Sequence, residues 1–144
     1  MITFIRRISA PDPSLSHLVL SLTAEERTRS RHLFQADTGE LIALNLPRGT
    51  TIRDGDWLES EVGKQIAIRA KPEPVMTVTA NTLLNLLQAA YHLGNRHVAL
   101  EITDSYLRLS PDSVLKDLLE HRGLNIIVET APFQPESGAY EHTH

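Results

Sequence analysis

The chain has 144 residues, a formal net charge of −4, and 41% hydrophobic against 22% charged residues, enough for one ordinary domain or two small ones. The acidic balance argues against a nucleic-acid binder, which would carry a basic face. The absence of cysteine excludes disulfides, thiolate catalysis and thiolate metal sites, and suits a reducing compartment. The start MITFIRRISA lacks the charge order and apolar core of a signal peptide, and no apolar run is long enough to span a bilayer. A cytoplasmic protein without membrane partners is therefore expected.

The first half reads as short strands and turns. Ile2, Phe4 and Ile8, then Leu18, Leu20 and Leu22, alternate with polar residues. Thr23 followed by Glu26 has the form of a capping box, predicting one helical turn over TAEER. Arg27, Arg29 and Arg31 adjoin Glu25 and Glu26 and read as a solvated, mixed-charge segment. HLFQA, the turn Asp37-Thr38-Gly39 and ELIALNL predict a hairpin. Pro47-Arg48-Gly49 and Asp54-Gly55-Asp56 supply turns before strands at Trp57-Leu58 and QIAIRA. Pro72 and Pro74 cannot donate to a sheet ladder, and a boundary there gives an N-terminal all-β domain over residues 1–72.

The second half changes period. A strand is expected over Val75 to Val78, and Leu83, Leu86, Leu87, Ala90 and Tyr91 then recur at helical spacing. Asn81 or Thr79 is the expected cap, and Gly94 or Asn95 the left-handed residue that ends the helix. HVALEI reads as a strand from His97 to Ile102, followed by a turn at Asp104-Ser105 and a strand from Tyr106 to Leu109. Ser110-Pro111 reads as a helix start. Val114, Leu115, Leu118 and Leu119 form the expected buried stripe, Gly123 the stop, and LNIIVE the last strand. The order βαββαβ over residues 73–133 matches a ferredoxin-like split βαβ unit, making the chain α+β. Past Pro132 the composition turns to Pro, Glu, Ser and Gly, and residues 134–144 are expected to form a flexible, histidine-containing tail.

The chemistry-bearing residues are histidines. His97 stands at the end of AYHLGNRHVA, where a helix gives way to a strand, and His142 and His144 close the chain in YEHTH. With no thiol, soft-metal chemistry rests on imidazole and carboxylate, a donor set suited to nickel, zinc or copper(II). His97, His142 and His144 are the candidate ligands, and Glu136 and Glu141 possible oxygen donors. The tail pair reads as a ligand arm or as the stub of a longer tail. His92 reads as helix-end packing, His121 as a favourable charge at a helix C-terminus, and His17 and His32 as structural. Asp104, Asp112, Glu101 and His97 make no recognisable acid–base set. No nucleophile elbow, phosphate loop or HExxH is present, and Ser110 and Ser113 are explained by the helix start, so no catalytic activity is expected.

YHLGNRHVALEI, SVLKDLLEHRGL and APFQPESGAY together resemble the urease accessory metallochaperones of the UreE family, with looser support from LPRGTTIRDGDWL and QIAIRAKPE. The resemblance implies an N-terminal β domain of two small sheets and a ferredoxin-like metal-binding domain that forms a head-to-head homodimer. It implies nickel as cargo, passed to the urease accessory GTPase of the UreG type and to the complex of urease apoprotein with its accessory proteins. His97 would lie near the dimer twofold, facing its copy across one metal, and His142 and His144 would add ligands. LSPDSVL holds no histidine where some relatives carry a cluster, so few metals per dimer are expected. The alternative is a docking or assembly module whose metal binding is incidental.

Overall fold

A computed structural model describes residues 1–139, and the chain divides into two compact units, Met1–Lys71 and Pro72–His144. Unit 1 contains β1 (Ile2–Ile8), β2 (His17–Leu22), β3 (Arg31–Gln35), β4 (Leu41–Asn45), β5 (Trp57–Ser60) and β6 (Gln65–Ala70). They form one six-stranded sheet in the order β2-β6-β5-β1-β4-β3, where two small sheets were expected. The reason lies in β1. Its first residues, Ile2 to Phe4, pair parallel with β4, its remainder pairs antiparallel with β5, and the register shifts between Phe4 and Arg6. One strand thus belongs to both halves, while Phe4, Leu20, Ile42, Leu58, Ile66 and Ile68 fill a common core.

Local signals in this unit hold. The capping box closes in both directions, Thr23 N–H to Glu26 Oε1 at 2.9 Å and Glu26 N–H to Thr23 Oγ1 at 3.3 Å, ahead of a short 3-10 turn at Glu26–Thr28. The hairpin joins β3 to β4 with Phe34 opposite Ile42, and Gly39 takes φ +98° in its turn. The arginine segment differs from expectation. Arg27 is buried and donates to the Leu22 carbonyl at 2.8 Å, whereas Arg29 does pair with exposed Glu25. An arginine can enter a β core when a strand-end carbonyl takes its charged head.

Unit 2 contains β7 (Glu73–Thr79), α1 (Leu83–Asn95), β8 (Glu101–Ile102), β9 (Leu107–Leu109), α2 (Ser113–His121) and β10 (Asn125–Ala131). Their sheet order is β10-β7-β9-β8, the βαββαβ arrangement expected. Met76, Val78, Leu107 and Leu109 of the sheet join Leu86, Ala89 and Leu93 of α1 and Leu115 and Leu119 of α2 in one core. Each such side chain contributes about 1.5–3 kcal/mol when fully buried.

The helix starts fall later than expected. Thr82, not Asn81 or Thr79, caps α1 by accepting Asn85 N–H at 3.1 Å, and Asp112, not Ser110, caps α2 by accepting Leu115 N–H at 3.0 Å. Each cap lies one residue before the first residue of its helix, so its oxygen reaches the third helical amide. Val114, expected in the buried stripe, is exposed. The strand expected from His97 shortens to Glu101–Ile102 because the amides of His97 and Val98 are committed to ending α1.

Candidate metal centre

Helix α1 includes both expected stops, Gly94 and Asn95, is capped at Arg96, and is followed by His97. His97 N–H donates to the Gly94 carbonyl at 3.0 Å and Val98 N–H to the Leu93 carbonyl at 3.3 Å, the paired bonds of a Schellman cap. That motif needs a left-handed residue, and His97 supplies it with φ +57°, the only non-glycine at positive φ among the described residues. The conformation costs an L-residue about 1–2 kcal/mol, and it is held by the two cap bonds and by Leu93, which is fully buried. The sequence signal for this conformation was Gly or Asn, and histidine is a rarer occupant. The result is an exposed His97 side chain fixed at the helix terminus.

Beside it lies an open cavity of about 290 Å³, lined by His97, Ala90, Gly94 and Leu100 on one side and by Glu136, Ser137 and Ala139 of the C-terminal segment on the other. The segment reaches this position by being fastened. Phe133 is fully buried, Gln134 N–H donates to Glu101 Oε1 at 2.8 Å, and Glu136 N–H donates to the Leu100 carbonyl at 2.8 Å. The described part of the expected tail, residues 134–139, is thus hydrogen-bonded to β8 and the residue before it. His142, His144 and Glu141 lie outside the described residues.

The donors brought together in one chain are therefore His97 and Glu136. No group of three or more His, Asp or Glu forms a metal-sized cluster among the described residues. The other histidines stand apart in their own contacts. His92 packs edge-on to Tyr91, His17 edge-on to Trp57, and His32 beside Phe34 and Arg29, while His121 is exposed in the last turn of α2. One imidazole and one carboxylate suit a borderline divalent ion such as nickel or zinc, but they leave most of its coordination positions to other donors. The unit that holds this cavity is also the acidic one. Residues 72–144 carry four Lys or Arg against nine Asp or Glu, a net −5, and residues 1–71 carry ten against nine, a net +1.

Sequence reasoning missed a second feature of this unit. Helix α1 is apolar on both sides. Leu86, Ala89 and Leu93 enter the core, while Leu83, Leu84, Leu87 and Tyr91 are each 56–66% exposed in a stripe along the opposite side. Leu83, Leu87 and Tyr91 share their helical spacing with Leu86, and spacing alone does not say which side of an all-apolar helix is covered.

Comparison with known proteins decides the family. The profile of the UreE urease accessory protein N-terminal domain matches residues 4–71, and that of the C-terminal domain matches residues 73–144. The chain belongs to the UreE family. A urease accessory protein UreE of Nostoc sp. is 56% identical over 97% of this chain and 97% of its own. Its counterpart in Microcystis aeruginosa is 53% identical over 100% and 95%, and that of Burkholderia ambifaria 49% over 87% and 62%. The two family domains meet where the two compact units divide. No described helix of this UreE family member is long and apolar enough to cross a membrane.

Proposed function

We propose that this protein is a nickel carrier for assembly of the urease active site, acting in the cytoplasm as a homodimer of its C-terminal units and without catalysis of its own. The observation that carries the reading is His97, a histidine held in a left-handed helix cap at the rim of a cavity shared with Glu136, in a chain of the UreE family. Two donors per chain make half a site. A twofold interface doubles them, since an isologous contact sets each residue opposite its own copy. The exposed stripe Leu83, Leu84, Leu87 and Tyr91 runs along α1, the helix whose C-terminal cap precedes His97. Covering such a stripe with a second copy gains roughly 25 cal/mol per Å² of apolar surface.

His142 and His144 are proposed as further ligands. Five residues follow Ala139, and five residues span at most about 17 Å, so covalent reach from the cavity wall suffices. A site completed by a tail releases its ion more readily than four fixed protein ligands would, and a carrier must release. The receiving partners are the urease accessory GTPase of the UreG type and the complex of urease apoprotein with its accessory proteins. Zinc and copper(II) compete for the same donors.

The test is nickel-dependent activation of urease in cells whose only copy of this protein carries His97→Asn. Asparagine tolerates the left-handed backbone and does not replace imidazole as a nickel ligand. Activation at limiting nickel should fall and recover as the medium is enriched; full activation at limiting nickel would contradict the reading.

A further inference from the structure

On the sheet face opposite the helices, Thr77 of β7, Arg108 of β9 and Glu101 of β8 form one cross-strand row. Arg108 is nearly enclosed there. Its Nε donates to Thr77 Oγ1 at 3.0 Å, and its head lies 4.6 Å from the Tyr106 ring centroid. Its NH2 group is 3.8 Å from Glu129, and its NH1 group 4.0 Å from Glu101. The Glu101 carboxylate is equally enclosed and accepts Tyr106 Oη–H at 3.2 Å. Both charged groups also take hold of the main chain that follows β10. Arg108 NH1 donates to the Pro132 carbonyl at 3.2 Å, and Glu101 Oε1 accepts Gln134 N–H at 2.8 Å. From there the segment alternates as an extended chain does, with Phe133 and Pro135 buried and Gln134 and Glu136 exposed. Glu136 N–H bonds to the Leu100 carbonyl at 2.8 Å. The Glu136 carbonyl in turn accepts Ala139 N–H at 3.1 Å, across a turn in which Gly138 has φ +83°. Glu136 is thereby fixed from both directions, on the wall of the cavity that His97 also lines.

We infer that Glu101 and Arg108 are positioning residues for metal binding, a charged clamp on the main chain at Pro132 and Gln134 that sets the Glu136 carboxylate as the oxygen donor working with His97. The inference rests on the nickel reading above and deepens it, by naming the groups that build the oxygen side of the site. Enclosing two opposite charges is destabilising unless each finds several partners. Here those partners include the backbone two and four residues before Glu136. The chain at Leu100 and Glu101 grips two alternate amides of the segment, Gln134 through a side chain and Glu136 through a carbonyl. A ligand group placed in advance binds more tightly than one that must be ordered on binding, because the ordering opposes association. His97 is placed by the turn that follows α1 and Glu136 by the clamp, so each donor is held by its own backbone support. With the clamp open, Glu136 keeps its charge but loses its fixed position at the cavity.

The clamp is tested in the full chain by measuring nickel affinity calorimetrically for four proteins: wild type, Glu101→Gln, Glu136→Gln, and the two substitutions combined. Glutamine keeps the size of Glu101 but cannot serve Gln134, Tyr106 and Arg108 together. Glu136→Gln leaves the main-chain bond to Leu100 in place and removes only the carboxylate. Glu101→Gln should weaken nickel binding about tenfold in the wild-type background, as loss of a ligand's support does. In the Glu136→Gln background it should weaken binding less than about twofold, because the donor it positions is gone. The same factor in both backgrounds overturns the clamp, since Glu101 then acts on the fold or on His97. Equal affinities of wild type and Glu136→Gln overturn the inference and leave the carrier reading to His97. No saturable binding by the wild type overturns the carrier reading and the inference with it. Deuterium uptake gives a metal-free readout. Exchange at the Gln134 and Glu136 amides should rise in Glu101→Gln and in Arg108→Lys, whose single ammonium cannot replace the forked contacts of arginine, while β7 amides stay protected. Unchanged exchange at those amides in both variants overturns the clamp. Should Glu101→Gln unfold, Arg108→Lys takes its place in the nickel comparison with the same expected factors.

Discussion

His97 and Gly123 hold the same position in two copies of one helix-ending motif. His97 bonds to the Gly94 carbonyl and Gly123 to the Glu120 carbonyl, at 3.0 and 2.9 Å. The following amides, of Val98 and Leu124, return to Leu93 and Leu119, and an arginine precedes each. Gly123 has φ +82°, the ordinary solution, and His97 has φ +57°, the costly one. Where only chain reversal is required the sequence uses glycine, and where the cap borders the cavity it uses an imidazole. The left-handed conformation costs stability at His97 that it does not cost at Gly123, and such strain is the structural observation behind the carrier proposal.

This relationship predicts opposite signs for two substitutions. His97→Gly should raise the stability of the protein by about 0.5–1 kcal/mol while weakening nickel binding, since glycine relieves the left-handed strain at some cost in unfolded-state entropy. Chemical denaturation with and without metal measures both. A His97→Gly protein no more stable than wild type would remove the strain argument.

Gly123→Ala should cost about 1 kcal/mol by the same reasoning run backwards. A Cβ built at Gly123 meets nothing within 4 Å, so the loss is conformational and leaves metal affinity alone. Denaturation midpoints of the variant read the first effect, and a nickel titration the second.

The caps make a further check on the fold. Asp112→Ala and Thr82→Ala each leave amides at the start of a helix, Leu115 and Asn85, without their side-chain acceptor. Each should lower stability by roughly 1 kcal/mol. Ser110→Ala, at the residue that reads as a start signal but is not the cap, should change it by less than about 0.5 kcal/mol.

The apolar stripe on α1 predicts the oligomer. Leu87→Glu or Tyr91→Glu places a charge on a side chain that is already exposed, so a single chain should fold as before. A twofold contact meets the charge twice and should open. Light scattering at micromolar concentration should report half the wild-type molar mass, with unaltered circular dichroism. An undiminished mass in both variants would move the interface elsewhere.

Much of the fold was readable residue by residue. Thr23 and Glu26, the Asp37-Thr38-Gly39 turn and Gly123 carry local chemistry that acts over three or four residues, and each behaves as its chemistry requires. His97 stands out in the sequence as a candidate ligand. Its backbone conformation does not, because Gly94 and Asn95 are the usual stop residues, yet both lie inside α1 and the left-handed residue falls two positions after the helix. The pairing of β1 with β4 was equally hidden. A parallel contact between Ile2 and Ile42 depends on closing a long loop, and no neighbouring residue announces it. The Glu101–Arg108 contact and its bonds to Pro132 and Gln134 join three separate segments, so no spacing in the chain reveals them.

The most direct test of the carrier reading is a nickel titration of the purified protein with molar mass followed by light scattering. The account predicts a dimer that binds about one nickel per two chains with saturation, as a site on a twofold axis must, and loses that site in His97→Asn. Absence of saturable binding, or an isotherm unchanged in His97→Asn, would contradict it.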